Sequence, residues 1–91
     1  MQRFSYKLKV FIRAVERIAK EKKFTISIVN KDSGVRFELF SNEETVPFAF
    51  WVVHGEHDKA KKVTSKKDYK KAATELMIDL DYFESILEEE K

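Results

Sequence analysis

Ninety-one residues are enough for one hydrophobic core, so we expect a single domain spanning residues 1–91. The chain has no cysteine, which excludes disulfides and thiolate metal sites and favours a reducing, cytoplasmic location. The net charge is only +2, but residues 1–23 and 59–71 each carry +6 and residues 72–91 carry −6. The longest apolar run, residues 46–53, is too short to cross a bilayer, so no membrane partner is expected.

The N-terminal segment has the periodicity of an amphipathic helix. Apolar residues recur at steps of three and four from Phe4 to Ala19, and most of the basic residues between them fall on the opposite face. This pattern predicts a first helix over about residues 3–22.

From Phe24 onward the apolar residues alternate with polar ones, which is typical of half-buried strands. The alternation predicts a first strand over residues 24–28 and, after a turn that ends at Gly34, a second over residues 35–39. A third strand is predicted over residues 46–54.

The third strand is apolar on both of its faces. We assign Phe48, Phe50 and Val52 to the core face, together with the inward residues of the second strand. Trp51 and Val53 then lie with Phe40 on the open face of the sheet, where they predict an apolar interface for a partner protein or a second copy. Packing beneath the connection that follows, or a single exposed aromatic, is an equally weighted alternative. The interface makes a small protein-interaction module, such as a regulator or inhibitor of phage or mobile-element type, the second hypothesis for function.

After a polar connection from Gly55 to Val63, helical spacing returns from Tyr69 to Leu87 and predicts one long last helix. Ser65 stands three residues before Asp68, which is typical of a capping box. The order helix, three antiparallel strands, helix predicts an α+β domain with both helices on one face of the sheet.

Lysines surround the start of the last helix, at Lys59, Lys61, Lys62, Lys66, Lys67, Lys70 and Lys71. Basic residues at the N-terminus and acidic residues at the C-terminus oppose the helix macrodipole, at about 0.3–1 kcal/mol each. Ammonium groups beside free backbone amides suit a phosphate chain instead. The pattern indicates phosphate contacts by Lys66, Lys67, Lys70 and Lys71, assisted by Lys61, Lys62 and basic residues of the first helix. A merely solvated surface is an equally weighted alternative.

The segment Ser65-Lys66-Lys67-Asp68-Tyr69-Lys70-Lys71-Ala72-Ala73 resembles the Lys-Lys-x-x-Lys-x-x-Ala pattern that opens the last helix of double-stranded RNA-binding domains. The α-β-β-β-α order is similar to that family as well. The resemblance implies that Lys66, Lys67 and Lys70 contact phosphates across the RNA major groove. It also implies that Ala72 and Ala73 allow close packing of the helix on the sheet, and that the protein recognises the shape of a duplex.

Two histidines, His54 and His57, are the remaining candidates for chemistry. Two imidazoles three residues apart lack the further ligands of a closed zinc site, so ordinary polar histidines are favoured and no metal or cofactor is expected. Small mRNA-cleaving toxins share this element order and use a sheet histidine as general acid or base, which makes a ribonuclease with His54 the third hypothesis. No motif indicates another enzyme or a small-molecule substrate.

Overall fold

A computed structural model describes residues 5–31, 34–41, 45–54, 62–63 and 65–91 of the chain. The described elements are β1 (Tyr6–Lys7), α1 (Leu8–Glu21), β2 (Thr25–Lys31), β3 (Gly34–Phe40), β4 (Ala49–His54), β5 (Lys62–Val63), α2 (Lys66–Glu75) and α3 (Leu80–Glu90). They confirm an α+β protein. No helix among them is long and apolar enough to cross a bilayer.

The main sheet is the predicted antiparallel three-stranded sheet, in the order β2-β3-β4. Phe37 of β3 pairs with Ile28 on one side and with Trp51 on the other. Cross-strand partners lie on the same face of a sheet, so these three side chains share one face. The ring of Trp51 stacks on that of Phe37, with the centroids 5.1 Å apart and the planes 5° from parallel.

The predicted assignment of faces on the third strand is wrong. Trp51 and Val53 are only 3% and 4% exposed and belong to the core, whereas Phe50 is 54% exposed. The guanidinium group of Arg36 lies over the ring of Phe50, 4.4 Å from its centroid. Because β4 is apolar on both faces, its sequence does not show which face points to the core. The register between β3 and β4, which pairs Trp51 with the buried Phe37, determines that face. Of the predicted interface residues only Phe40, which is partly buried, lies on the open face.

The helices meet the sheet at Phe11, which is fully buried. Its ring contacts Phe37 of the sheet, Tyr69 of α2 and Phe83 of α3, with centroids 5.5, 5.5 and 5.6 Å away. This single aromatic cluster joins α1, α2 and α3 to the face of the sheet that bears Phe37, and the prediction that the helices pack against one face is confirmed.

The predicted single last helix is two helices, α2 and α3. Met77, just after the C-cap of α2, has a φ of 60°. The Ile78 amide donates to the Ala73 carbonyl over 3.0 Å, and the Met77 amide donates to Thr74 over 3.1 Å. These bonds form a Schellman motif, which reverses the chain and ends the helix. The sequence gives no signal for this stop because the motif contains no glycine and the apolar stripe continues through it.

The first helix begins at Leu8, later than predicted, because Tyr6 and Lys7 belong to a second small sheet. Tyr6 pairs with Val63 and Lys7 pairs with Lys62 in an antiparallel ladder between β1 and β5. A pair of two-residue strands is too short to produce a recognisable alternation, so sequence analysis missed it. The ladder brings the start of α1 next to the segment that leads into α2.

Candidate nucleic-acid interface

Tyr69 fixes the start of α2 against the small sheet. Its side chain is fully buried, and its hydroxyl accepts a hydrogen bond of 3.2 Å from the Tyr6 amide. The same hydroxyl donates to the carbonyl of Val63. Burial raises the pKa of Tyr69 to about 12, so the hydroxyl remains a proton donor at neutral pH. One side chain thus joins β1, β5 and α2.

The inward face of α2 determines which lysines point outward. Ala72 and Ala73 are 0% and 3% exposed and, with Tyr69, form the buried side of the helix. Ala72 and Ala73 therefore lie on the side of α2 that faces the protein interior. The lysines at positions 66, 67 and 70 consequently lie on the solvent side, and all three are exposed.

The four predicted lysines of α2 are not equivalent. Lys71 forms an ion pair with Glu75 one turn later, with 3.1 Å between its Nζ and the carboxylate oxygen. Lys66, Lys67 and Lys70 form no ion pair with any residue that the structure describes. No carboxylate of the described residues neutralises these three charges, whereas that of Lys71 is partly neutralised.

The N-terminus of α2 lacks the expected side-chain cap. Ser65 is the N-cap residue, as predicted, but its hydroxyl makes no capping hydrogen bond. The amide of Asp68 bonds instead to the backbone carbonyl of Ser65, over 3.0 Å. Asp68, the acidic residue of the first turn, is the one favourable charge for the macrodipole there.

The two basic segments of the sequence meet at the small sheet. Lys7 lies opposite Lys62 in the ladder and is also the N-cap residue of α1, whose first turn contains no acidic residue. Lys9 and Arg13 follow on the exposed side of α1. Both segments are visible in the sequence, but their proximity is not, because it depends on the β1–β5 pairing.

The acidic C-terminal segment is held by groups outside the α2 lysines. The guanidinium group of Arg17 bonds to Glu89 and Glu90 over 3.0 and 3.2 Å. The Tyr6 hydroxyl donates to Glu88 over 2.5 Å. This hydrogen bond lowers the pKa of the Glu88 carboxyl. These contacts occupy the carboxylates without neutralising Lys66, Lys67 or Lys70.

Four predicted candidates lie wholly or partly outside the described residues. Lys61 and His57 are not described, and of His54 and Lys62 only the backbone is described. Their proposed contacts, including the ribonuclease role of His54, remain predictions. Among the described residues there is no group of three or more potential metal ligands.

Comparison of the chain with models of protein families, with curated proteins and with solved structures gives no match. The resemblance of residues 65–73 to double-stranded RNA-binding domains therefore stays a prediction that rests on the motif and the element order.

Proposed function

We propose that this protein is a non-enzymatic nucleic-acid-binding module that contacts the phosphate backbone through the start of α2. The observation that carries the proposal is the set of three exposed lysines, at positions 66, 67 and 70, that have no ion-pair partner among the described residues. Two of them, Lys66 and Lys70, are one helical turn apart, a spacing that suits successive phosphates better than a single small anion.

Lysine ammonium groups act as point charges, so they follow a phosphate chain without reading the edges of bases. Recognition of this kind depends on backbone shape and on salt. Duplex RNA is the favoured ligand because the motif from Ser65 to Ala73 resembles the helix with which double-stranded RNA-binding domains contact their ligand. The cysteine-free composition supports a cytoplasmic site of action.

A gel-shift titration with duplex RNA, duplex DNA and single strands tests this proposal. The double variant Lys66→Glu/Lys67→Glu reverses two charges of the proposed interface and should abolish binding of duplex RNA. The control Lys20→Glu/Lys23→Glu makes the same change in net charge at the far end of α1 and should bind more tightly than the α2 variant. Equal loss of binding in both variants would mean that only net charge matters, and undiminished binding in the α2 variant would exclude the proposed site.

The open face of the main sheet favours a second candidate function, association with a second copy of the chain. Val46, Phe48 and Phe50 are 69%, 46% and 54% exposed near the outer strand β4. No strand among the described residues pairs with the outer edge of β4. Antiparallel pairing of two such edges would give a closed two-fold dimer. Light scattering tests this candidate: a monomeric wild-type protein excludes it, and dissociation of a dimer by Phe50→Asp supports it.

A further inference from the structure

A cleft of about 530 Å³ lies between the start of α1 and the end of α3, separate from the α2 lysines. Its walls include four cationic side chains, those of Lys7, Lys9, Arg13 and Lys91. They include one side-chain carboxylate, that of Glu88, and the neutral Tyr6 beside it. The volume falls in the range of small-ligand sites, about 300–1,000 Å³. A concave surface with this excess of positive charge concentrates the electrostatic potential within it.

The carboxylate in the cleft is already fully engaged. Glu88 accepts the hydroxyl of Tyr6 over 2.5 Å and lies 3.3 Å from the ammonium group of Lys91. The remaining cations, Lys7, Lys9 and Arg13, form no ion pair with any described residue. The cleft therefore contains three positive charges that no carboxylate of the described residues pairs with.

The positions of these charges on α1 are unfavourable for the helix itself. Lys9 and Arg13 are four residues apart, where like charges repel, and Lys7 occupies the positive end of the helix dipole. An anion bound in the cleft would offset both effects.

We infer that this cleft binds a phosphomonoester dianion, either on a free nucleotide or at the 5′ end of a nucleic-acid strand. The planar guanidinium group of Arg13 is suited to hold two phosphate oxygens at once, and Lys7 and Lys9 supply the remaining charge. A terminal phosphate carries close to two negative charges at neutral pH, whereas an internal phosphodiester carries one. The inference concerns different side chains from the proposed backbone interface and does not require it.

Paired probes that differ only in the phosphate test the inference. Isothermal titration with AMP and adenosine examines a free nucleotide, and titration with short 5′-phosphorylated and 5′-hydroxyl single strands examines a strand end. At least one phosphorylated probe should bind about tenfold more tightly than its partner. The preference should weaken as the pH falls below about 6, where the phosphate dianion takes up one proton and becomes a monoanion.

Variants locate the effect within the molecule. Lys9→Gln/Arg13→Gln should remove the preference, and Arg13→Lys, which keeps the charge but loses the planar fork, should reduce it. Lys20→Gln is the matched control on α1, and Lys66→Gln/Lys67→Gln, which weakens only the proposed backbone interface, should leave the preference intact.

A preference for AMP identifies the free nucleotide as the source of the phosphate, and a preference confined to the strand identifies the strand's 5′ end as the source. The inference fails if neither pair is discriminated, or if the preference survives Lys9→Gln/Arg13→Gln.

Discussion

Two residues, Lys23 and Met77, have the left-handed backbone conformation that glycine adopts most easily, with φ of 62° and 60°. Each follows the C-cap of a helix, and the two helix ends are linked because the Lys22 ammonium group donates to the Met77 carbonyl over 3.3 Å. A side chain with a Cβ costs roughly 1–2 kcal/mol in this conformation. These turns therefore hold a local strain that glycine would relieve.

Replacement of Met77 by glycine should increase the free energy of unfolding by about 1 kcal/mol, because the strained Cβ is removed from a Schellman turn. Urea denaturation measures the change. Thr74→Gly, placed in the last turn of α2, is the control and should decrease stability by roughly 0.3–0.5 kcal/mol, the difference in helix propensity between threonine and glycine. If both substitutions destabilise the protein equally, the assigned turn at Met77 is wrong.

The hydroxyl of Tyr69 is the second feature at the scale of single residues. Tyr69→Phe removes the acceptor for the Tyr6 amide and the donor to the Val63 carbonyl, and should cost about 1–3 kcal/mol.

The substitution should also change how the free energy of unfolding depends on pH above pH 10. Burial raises the pKa of Tyr69 from 10.0 in the unfolded chain to about 12. The contribution of the Tyr69 hydroxyl to the free energy of unfolding is therefore complete below pH 10 and is lost as pH rises towards 12.

The slope of unfolding free energy against pH above pH 10 should therefore be smaller in Tyr69→Phe than in the wild type. Tyr6, whose pKa is also raised by burial and by its bond to Glu88, retains its own contribution in both proteins. Equal alkaline slopes in the two proteins would contradict the buried position of the Tyr69 hydroxyl.

At the scale of elements, the orientation of β4 decides which of its aromatic side chains is buried. Trp51 stacks in the core against Phe37, whereas Phe50 lies on the open face beneath Arg36. Trp51→Ala should cost about 3–5 kcal/mol because it leaves a cavity. Phe50→Ala should cost about 1 kcal/mol or less, since it removes mainly an exposed cation–π contact. Chemical denaturation of the two variants distinguishes this register from the opposite one, which would reverse the order.

At the scale of the whole molecule, the charge segregation seen in the sequence becomes an arrangement of surfaces. The basic start of α1 and the strand that leads into α2 meet through the β1–β5 ladder. The acidic end of α3 bonds to Tyr6 and Arg17, and Lys66, Lys67 and Lys70 form no ion pair with any described residue. The positive charges thus lie around the starts of α1 and α2, while the carboxylates of Glu89 and Glu90 are paired with Arg17.

Features that depend on local periodicity could be predicted from the sequence. Features that depend on pairing between distant segments could not. The helical spacing of apolar residues predicted α1, and the alternation of apolar and polar residues on either side of the turn at Gly34 predicted β2 and β3. The outward position of Lys66 and Lys67 followed from their spacing to the buried Tyr69. The face of β4 required its register with β3. The β1–β5 ladder required contact between residues 6–7 and 62–63, which no local pattern encodes.

The dependence of duplex RNA affinity on salt tests the account most directly. Each phosphate contact contributes about 0.9 to the slope of log affinity against log salt concentration. Contacts by Lys66, Lys67 and Lys70 therefore predict a slope of about −3. Lys67→Gln should make the slope shallower by about 1, whereas Lys71→Gln should change it much less, because Lys71 is paired with Glu75. Equal effects of the two substitutions, or a slope that neither changes, would contradict the assignment of the interface to the start of α2.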